Sequence, residues 1–204
     1  MTPRFFIGET LQGLVKGSDA ASFADVVAIL GHPPKLDIDR AAFFALPEER
    51  RNELKRVRFF VPGCFKTSPS RRTLDNVTHC NLLFLDLDEV KATGHCPAAP
   101  FVKNPEQLRV ALAGFNFFAH TTASSTPEKP RMRVIVEADA IPKEHYARAV
   151  QTIGEMMALG KVTKESLVAA QAMFVSVVFR DDPPDFHPML DKVLDGRPFT
   201  LADI

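Results

Sequence analysis

Asp86 and Asp88 stand two residues apart at the end of the apolar run Asn81-Leu-Leu-Phe-Leu-Asp-Leu-Asp-Glu89. If the run is a strand, alternation sends both acids to one face and Leu85 and Leu87 to the other, so the carboxylates converge on one point. Like charges that close repel each other unless a positive charge lies between them. A divalent cation supplies it: Mg²⁺ or Mn²⁺ takes oxygen ligands, commonly one or two carboxylates with substrate phosphates completing the shell. A buried strand that runs into an acidic turn shows the same spacing, so the pair gains meaning only from what surrounds it.

Two basic groups could serve the same chemistry. Downstream, Thr121-Thr-Ala-Ser-Ser-Thr-Pro-Glu-Lys-Pro130 is a hydroxyl-rich loop, and Arg131-Met-Arg-Val-Ile-Val136 follows it with Arg131 and Arg133 at alternate positions. On a strand those guanidiniums share a face, and with Ser125 and Lys129 they make a cradle for a triphosphate, because planar Arg donors match phosphate oxygens. An exposed hairpin with paired arginines would read the same way. Upstream, residues 50–72 hold eight bases (Arg50, Arg51, Lys55, Arg56, Arg58, Lys66, Arg71, Arg72) against one acid, Glu53. Phe59, Phe60 and Phe65 interleave with them, a composition that suits phosphates and bases as well as an ordinary solvated face.

The elements that must position these groups follow from periodicity. Arg4 to Gly8 predicts a short strand. Ala20 to Leu30 predicts a helix capped at Ser18-Asp19, with Phe23, Val26, Val27 and Leu30 on one stripe and Gly31 and His32-Pro-Pro34 ending it. Glu48 to Leu54 predicts a second helix, acidic at its start and basic toward its end. Val57 to Val61 predicts a strand, and Lys66 to Asn76 a loop that carries Arg71 and Arg72 toward the acidic strand. Asn104-Pro105 opens a helix that Gly114 closes, between the acidic strand and a strand over Phe115 to Thr121, an order that fits a crossover. Lys143 to Leu159 predicts an amphipathic helix with Tyr146, Val150, Ile153 and Met157 inward. Ala172 to Phe179 reads as a buried strand, Asp181 to Asp185 as a surface loop, and Val193 to Leu201 as a hairpin around Asp195-Gly196.

Composition narrows the class. The 204 residues suit a single domain, and the 46% hydrophobic and 25% charged content is that of a soluble globular chain. Bases and acids balance at 25 each, so bulk charge argues for no nucleic-acid partner and the local runs must carry that case. No apolar run reaches the roughly 18–20 residues of a membrane span and no signal peptide opens the chain, so a cytoplasmic protein with no membrane partner is expected. Three cysteines, Cys64, Cys80 and Cys96, without Cys-x-x-Cys spacing argue against a disulfide framework. His79, Cys80, His95 and Cys96 give only a loose zinc pattern, and zinc is not expected.

The order of motifs resembles the archaeo-eukaryotic primase superfamily, specifically the primase-polymerase domains of phage, plasmid and mobile-element replication proteins. The resemblance runs from about Val57 to Ile204, through Phe60-Val-Pro-Gly63, Leu83-Phe-Leu-Asp-Leu-Asp88, Thr126-Pro-Glu-Lys-Pro-Arg-Met-Arg-Val-Ile-Val136, Ala170-Gln-Ala-Met-Phe174 and Gly196-Arg-Pro-Phe-Thr-Leu201. It implies an α+β fold: a mixed sheet like that of RNA-recognition domains with flanking helices over residues 57–204, and a smaller α/β part over residues 1–56. It implies a DNA primase or polymerase that transfers nucleotides by a two-metal scheme, with nucleoside triphosphates, a DNA template and a helicase domain or subunit as partners. Asp86 and Asp88 carry over as Mg²⁺ or Mn²⁺ ligands and catalytic acids, and Glu165 as the third acid near Thr163, where this chain departs from the pattern. Nucleotide binding falls to His120, Ser125, Lys129, Arg131 and Arg133, with the histidine displaced from the family's Ser-x-His position. Nucleic-acid binding falls to Arg58, Lys66, Arg71 and Arg72. Two other readings stand beside this one. The first is a catalytically reduced relative that binds nucleic acid or nucleotide. The second is a haloacid-dehalogenase-type phosphatase, in which Phe84-Leu-Asp-Leu-Asp88 resembles the nucleophile motif and Asp181-Asp182 the distal acids.

Overall fold

The computed structural model describes residues 4–9, 14–55 and 58–204. Arg56 of the basic run and Val57 of the expected strand lie outside the described residues. In chain order the strands are β1 (Phe6–Gly8), β2 (Lys16–Gly17), β3 (Phe59–Val61), β4 (Gly63–Phe65), β5 (Val77–Leu87), β6 (Phe117–Thr121), β7 (Met132–Pro142), β8 (Met173–Phe174) and β9 (Met189–Val193). The α-helices are α1 (Phe23–Leu30), α2 (Arg40–Ala45), α3 (Glu48–Leu54), α4 (Ala99–Lys103), α5 (Glu106–Ala111) and α6 (Tyr146–Met156).

The strands form two sheets, one ordered β2-β1-β3-β8 and the other β4-β5-β7-β6-β9. Every paired strand is antiparallel to its neighbour, where a mixed sheet was expected, and parallel pairing is confined to isolated bridges such as Phe115 to Arg197. The first sheet draws strands from both sides of residue 56. Within the second, β5 and β6 both run against β7, which lies between them, so they are parallel to each other and joined through α4 and α5. That is a split β-α-β arrangement.

Alternation divides the five-stranded sheet into two apolar faces. Leu83, Leu85 and Leu87 join Phe117, Val134 and Val136 in a core that includes Leu108 of α5 and Tyr146, Val150 and Ile153 of α6. Leu82 and Phe84, with Phe118 and Ile135, face the other way onto Phe23, Val26, Val27 and Leu30 of α1. A register shift between Cys80 and Leu82 marks the start of the alternation, and the buried Asn81 at that point bonds the Arg4 carbonyl and the Ala140 N–H. Burying both faces of the central strands stabilises the fold, at roughly 25 cal/mol per Å² of apolar surface removed from water.

Several local expectations are corrected. α1 is capped by Ser22 rather than Ser18-Asp19, because Ser22 and Asp25 form a reciprocal capping box. Asn104 makes no side-chain cap for α5. Ala172 to Phe179 is buried along much of its length but only Met173 and Phe174 pair in a ladder; beyond them Val175, Val178 and Arg180 donate to the carbonyls of Arg58, Pro34 and Ile38. The Asp195-Gly196 hairpin is absent: β9 pairs with β6, and Gly196 lies so close to Phe115 that a Cβ there would fall 2.7 Å from the Phe115 carbonyl carbon. No helix among the described residues is long and apolar enough to cross a membrane.

Candidate functional site

The register of the central strands puts Asp86 opposite Arg133 and Arg133 opposite His120, one row across three strands. The row continues the face that carries Leu82, Phe84, Phe118 and Ile135, so an apolar face turns polar toward one end. Arg133 Nε donates to Asp86 Oδ1 at 2.6 Å and Nη2 to Oδ2 at 3.0 Å, a two-point pairing that fixes the carboxylate plane. Its Nη1 donates to the Phe174 carbonyl on β8 and so ties the two sheets together. The Asp86 N–H donates to Ser166 Oγ at 2.9 Å, and Ser166 in turn bonds Thr163 Oγ1 at 2.8 Å.

Asp88 lies one turn of the alternation further, past the end of β5. Arg131 Nε sits 2.7 Å from Asp88 Oδ1, yet among the described residues its N–H makes no hydrogen bond, so the contact is a close ion pair out of line. Both acid–arginine pairs line a cavity of about 270 Å³, together with Lys55, Asn52, Thr122 and Ser124. Among its described lining residues Lys55, Arg131 and Arg133 are cationic and Asp86 and Asp88 anionic, which leaves one positive charge in excess. Lys55 follows α3 and reaches Ser124 Oγ at 3.3 Å. Burial, then the nearby Arg51 and Arg131, hold its ammonium below the ordinary lysine range.

His120 is buried and lines the same cavity. Its Nδ1 lies 2.8 Å from the Thr121 carbonyl, which can only accept, so Nδ1 carries the proton and Nε2 presents a bare lone pair. Nε2 has no hydrogen-bond partner among the described residues. Burial, reinforced by Arg133, pushes the ring's pKa down to about 4, so it is neutral near pH 7. A neutral Nε2 acceptor suits a hydroxyl or water rather than a phosphate oxygen.

The remaining expected site residues lie elsewhere. Ser125 accepts from the Arg131 N–H and faces a second cavity, and Lys129 is exposed and pairs with Glu89 at 3.3 Å. Glu165 is exposed; its neighbour Ser166 is the residue that meets Asp86. Arg58, Lys66 and Arg71 are exposed and line neither cavity, while Arg72 donates to the Ala170 carbonyl at 2.8 Å and lies over the Phe59 ring, a structural role. Phe59, Phe60 and Phe65 are buried and offer no stacking surface. Asp182, one of the acids the phosphatase reading needs, pairs with Arg40, and it and Asp181 border the second cavity rather than the first. Cys64 and Cys80 are buried on adjacent strands and Cys96 is half-buried in the loop after β5.

Lys55, Asn52 and Ser166 are the site residues that sequence reasoning missed. Lys55 stood in the basic run, but nothing in its spacing distinguished it from the bases around it.

Residues 17–197 match the VapE N-terminal domain, and the chain belongs to that family. This places it with a domain of phage- and plasmid-replication-associated proteins. No curated protein matches the chain.

Proposed function

We propose that this VapE N-terminal domain is a metal-dependent nucleotidyltransferase of the primase-polymerase kind, using nucleoside triphosphates on a DNA template and working beside a helicase. The observation that carries the reading is the pairing of Asp86 with Arg133 and Asp88 with Arg131 along one cavity, at the adjoining ends of two neighbouring antiparallel strands. The donor set fits a hard divalent cation: each carboxylate keeps lone pairs beyond those its arginine uses, and Mg²⁺ or Mn²⁺ needs only one or two carboxylates when phosphates and water complete its shell. No group of three His, Cys, Asp or Glu side chains converges among the described residues, so these residues form no closed cage. The positive excess favours a cation that arrives with its anionic substrate. Bound there with a triphosphate, it would neutralise phosphate charge and make an attacking hydroxyl more acidic. Arg133 and Ser166 hold Asp86 in orientation, Arg131 offers its unused donors to phosphate oxygens, and neutral His120 leaves Arg133 fully available to Asp86.

The test is nucleotide incorporation with Mn²⁺ on primed and unprimed templates. Wild type should incorporate, and Asp88→Asn should lose at least about a hundredfold, the scale already reached by outer partners of a metal. A wild-type chain inert on both templates overturns the reading. One observation favours a second reading, a binding module without chemistry: both carboxylates are engaged by guanidiniums and, among the described residues, no third acid joins them. It predicts salt-sensitive single-strand binding without incorporation, and no measurable binding at low salt removes it.

A further inference from the structure

We propose that Lys55 and Arg131 form a clamp for a polyphosphate that works without a metal, with Lys55, the residue after α3, as one jaw and Arg131, the residue before β7, as the other. Lys55 lies outside the stretch on which the primase resemblance rests. Its ammonium is half-buried in the cavity wall and, among the described residues, forms no salt bridge; its hydrogen bond is to neutral Ser124. The charges that bear on it are Arg51 and Arg131, which repel it, and Glu48 and Asp88, which attract it more weakly. A cation held this way is unfavourable by itself, because the attraction of Glu48 and Asp88 is weaker than the burial and the two arginines that oppose it. Arg51 Nε nearby is also buried and, among the described residues, has no hydrogen-bond partner. Across the cavity, Arg131 meets Asp88 out of line and so keeps guanidinium donors available. Thr122, Ser124 and Asn52 add neutral hydrogen-bonding groups to the same walls. An anion with several oxygens satisfies all of these together: it relieves the repulsion between the cations, neutralises the positive excess and fills the unused donors. The choice of a nucleoside polyphosphate rests on the nucleotide reading above; the clamp itself requires no chemistry.

Calorimetric titration of the full chain in EDTA tests it, with inorganic tripolyphosphate and a nucleoside triphosphate as probes. Wild type should bind both, Lys55→Gln should weaken both at least about tenfold, and Lys55→Arg should restore most of the loss. Lys55→Gln should melt no lower than wild type, since it removes a charge the fold holds at a cost. Binding by Lys55→Gln within twofold of wild type, or no wild-type binding in EDTA, overturns the clamp, as does a marked fall in its melting temperature, which would make Lys55 structural. Arg131→Gln is the independent second variant and should likewise weaken both ligands at least about tenfold. A chain that binds Lys55-dependently yet incorporates nothing supports the clamp and overturns only the transferase reading. A chain that incorporates while Lys55→Gln binds like wild type overturns only the clamp.

Discussion

Asp86 and Asp88 share a face but not an environment. The Asp86 side chain is 21% exposed and its partner Arg133 only 11%, whereas Asp88 is 45% exposed beside a misaligned Arg131. Asp86→Asn leaves a nearly buried guanidinium with one acceptor fewer and should cost about 1–3 kcal/mol in urea unfolding. Asp88→Asn should stay within about 1 kcal/mol, as solvent-screened pairs do. Loss of activity in Asp88→Asn is therefore the cleaner sign of chemistry. His120 gives a pH signature. Its folded pKa is depressed from 6.5 to about 4, so the unfolded chain takes up a proton first as pH falls. Stability should be complete above about pH 6.5 and decline toward pH 4, by on the order of 3 kcal/mol, and His120→Gln should flatten that part of the curve in denaturant titrations at successive pH values. At this scale the acid pair was legible because alternation needs only one strand. Which arginine faces which acid was not, since that depends on the register between strands far apart in sequence.

Gly63 shows what an element can demand of one position. A Cβ there would lie 2.7 Å from Val77 Cγ1 and 2.9 Å from the Ala169 carbonyl oxygen, and that backbone cannot swing aside as a side-chain tip can. Gly63→Ala should therefore cost about 1–3 kcal/mol by overpacking, seen as a lower denaturation midpoint with an unchanged slope. The glycine stands in the Phe60-Val-Pro-Gly63 motif, and close packing of β4 on β5 is reason enough for it. Gly196 teaches the converse. An Asp-Gly pair signals a two-residue turn when both residues take positive φ, but neither Asp195 nor Gly196 does, and the glycine serves a close backbone approach instead. Ala172 to Phe179 misled in a similar way: an apolar run reports burial, while ladder pairing depends on whether a neighbouring strand is there to receive it. The helices α1, α3 and α6 were legible because each carries its own signal in caps, charges or a stripe of apolar residues.

At the scale of the molecule, Arg4 and the segment from Gly196 to Phe199 are bound into the same frame. Arg4 pairs with the buried Glu137 of β7 at 2.8 Å, Asn116 donates to Glu137 at 2.8 Å, and the Gly196 N–H donates to Asn116 Oδ1 at 2.9 Å. Phe199, fully buried, packs on Phe115. No local pattern announces such a network, because its members lie far apart in sequence and meet only once both sheets exist. The same long-range construction governs the thiols. Cys64 and Cys80 sit on β4 and β5 under the fold, and burial pushes the Cys64 thiol up to about 12 and Cys80 up as well. An aromatic disulfide reagent should therefore label one site per native chain quickly, at Cys96, and reach the other two only when β4 peels from β5. The slow colour change would time the breathing of that sheet edge, and a ligand that binds only the closed frame should lengthen it by the factor 1 + L/Kd, where L is the free ligand concentration.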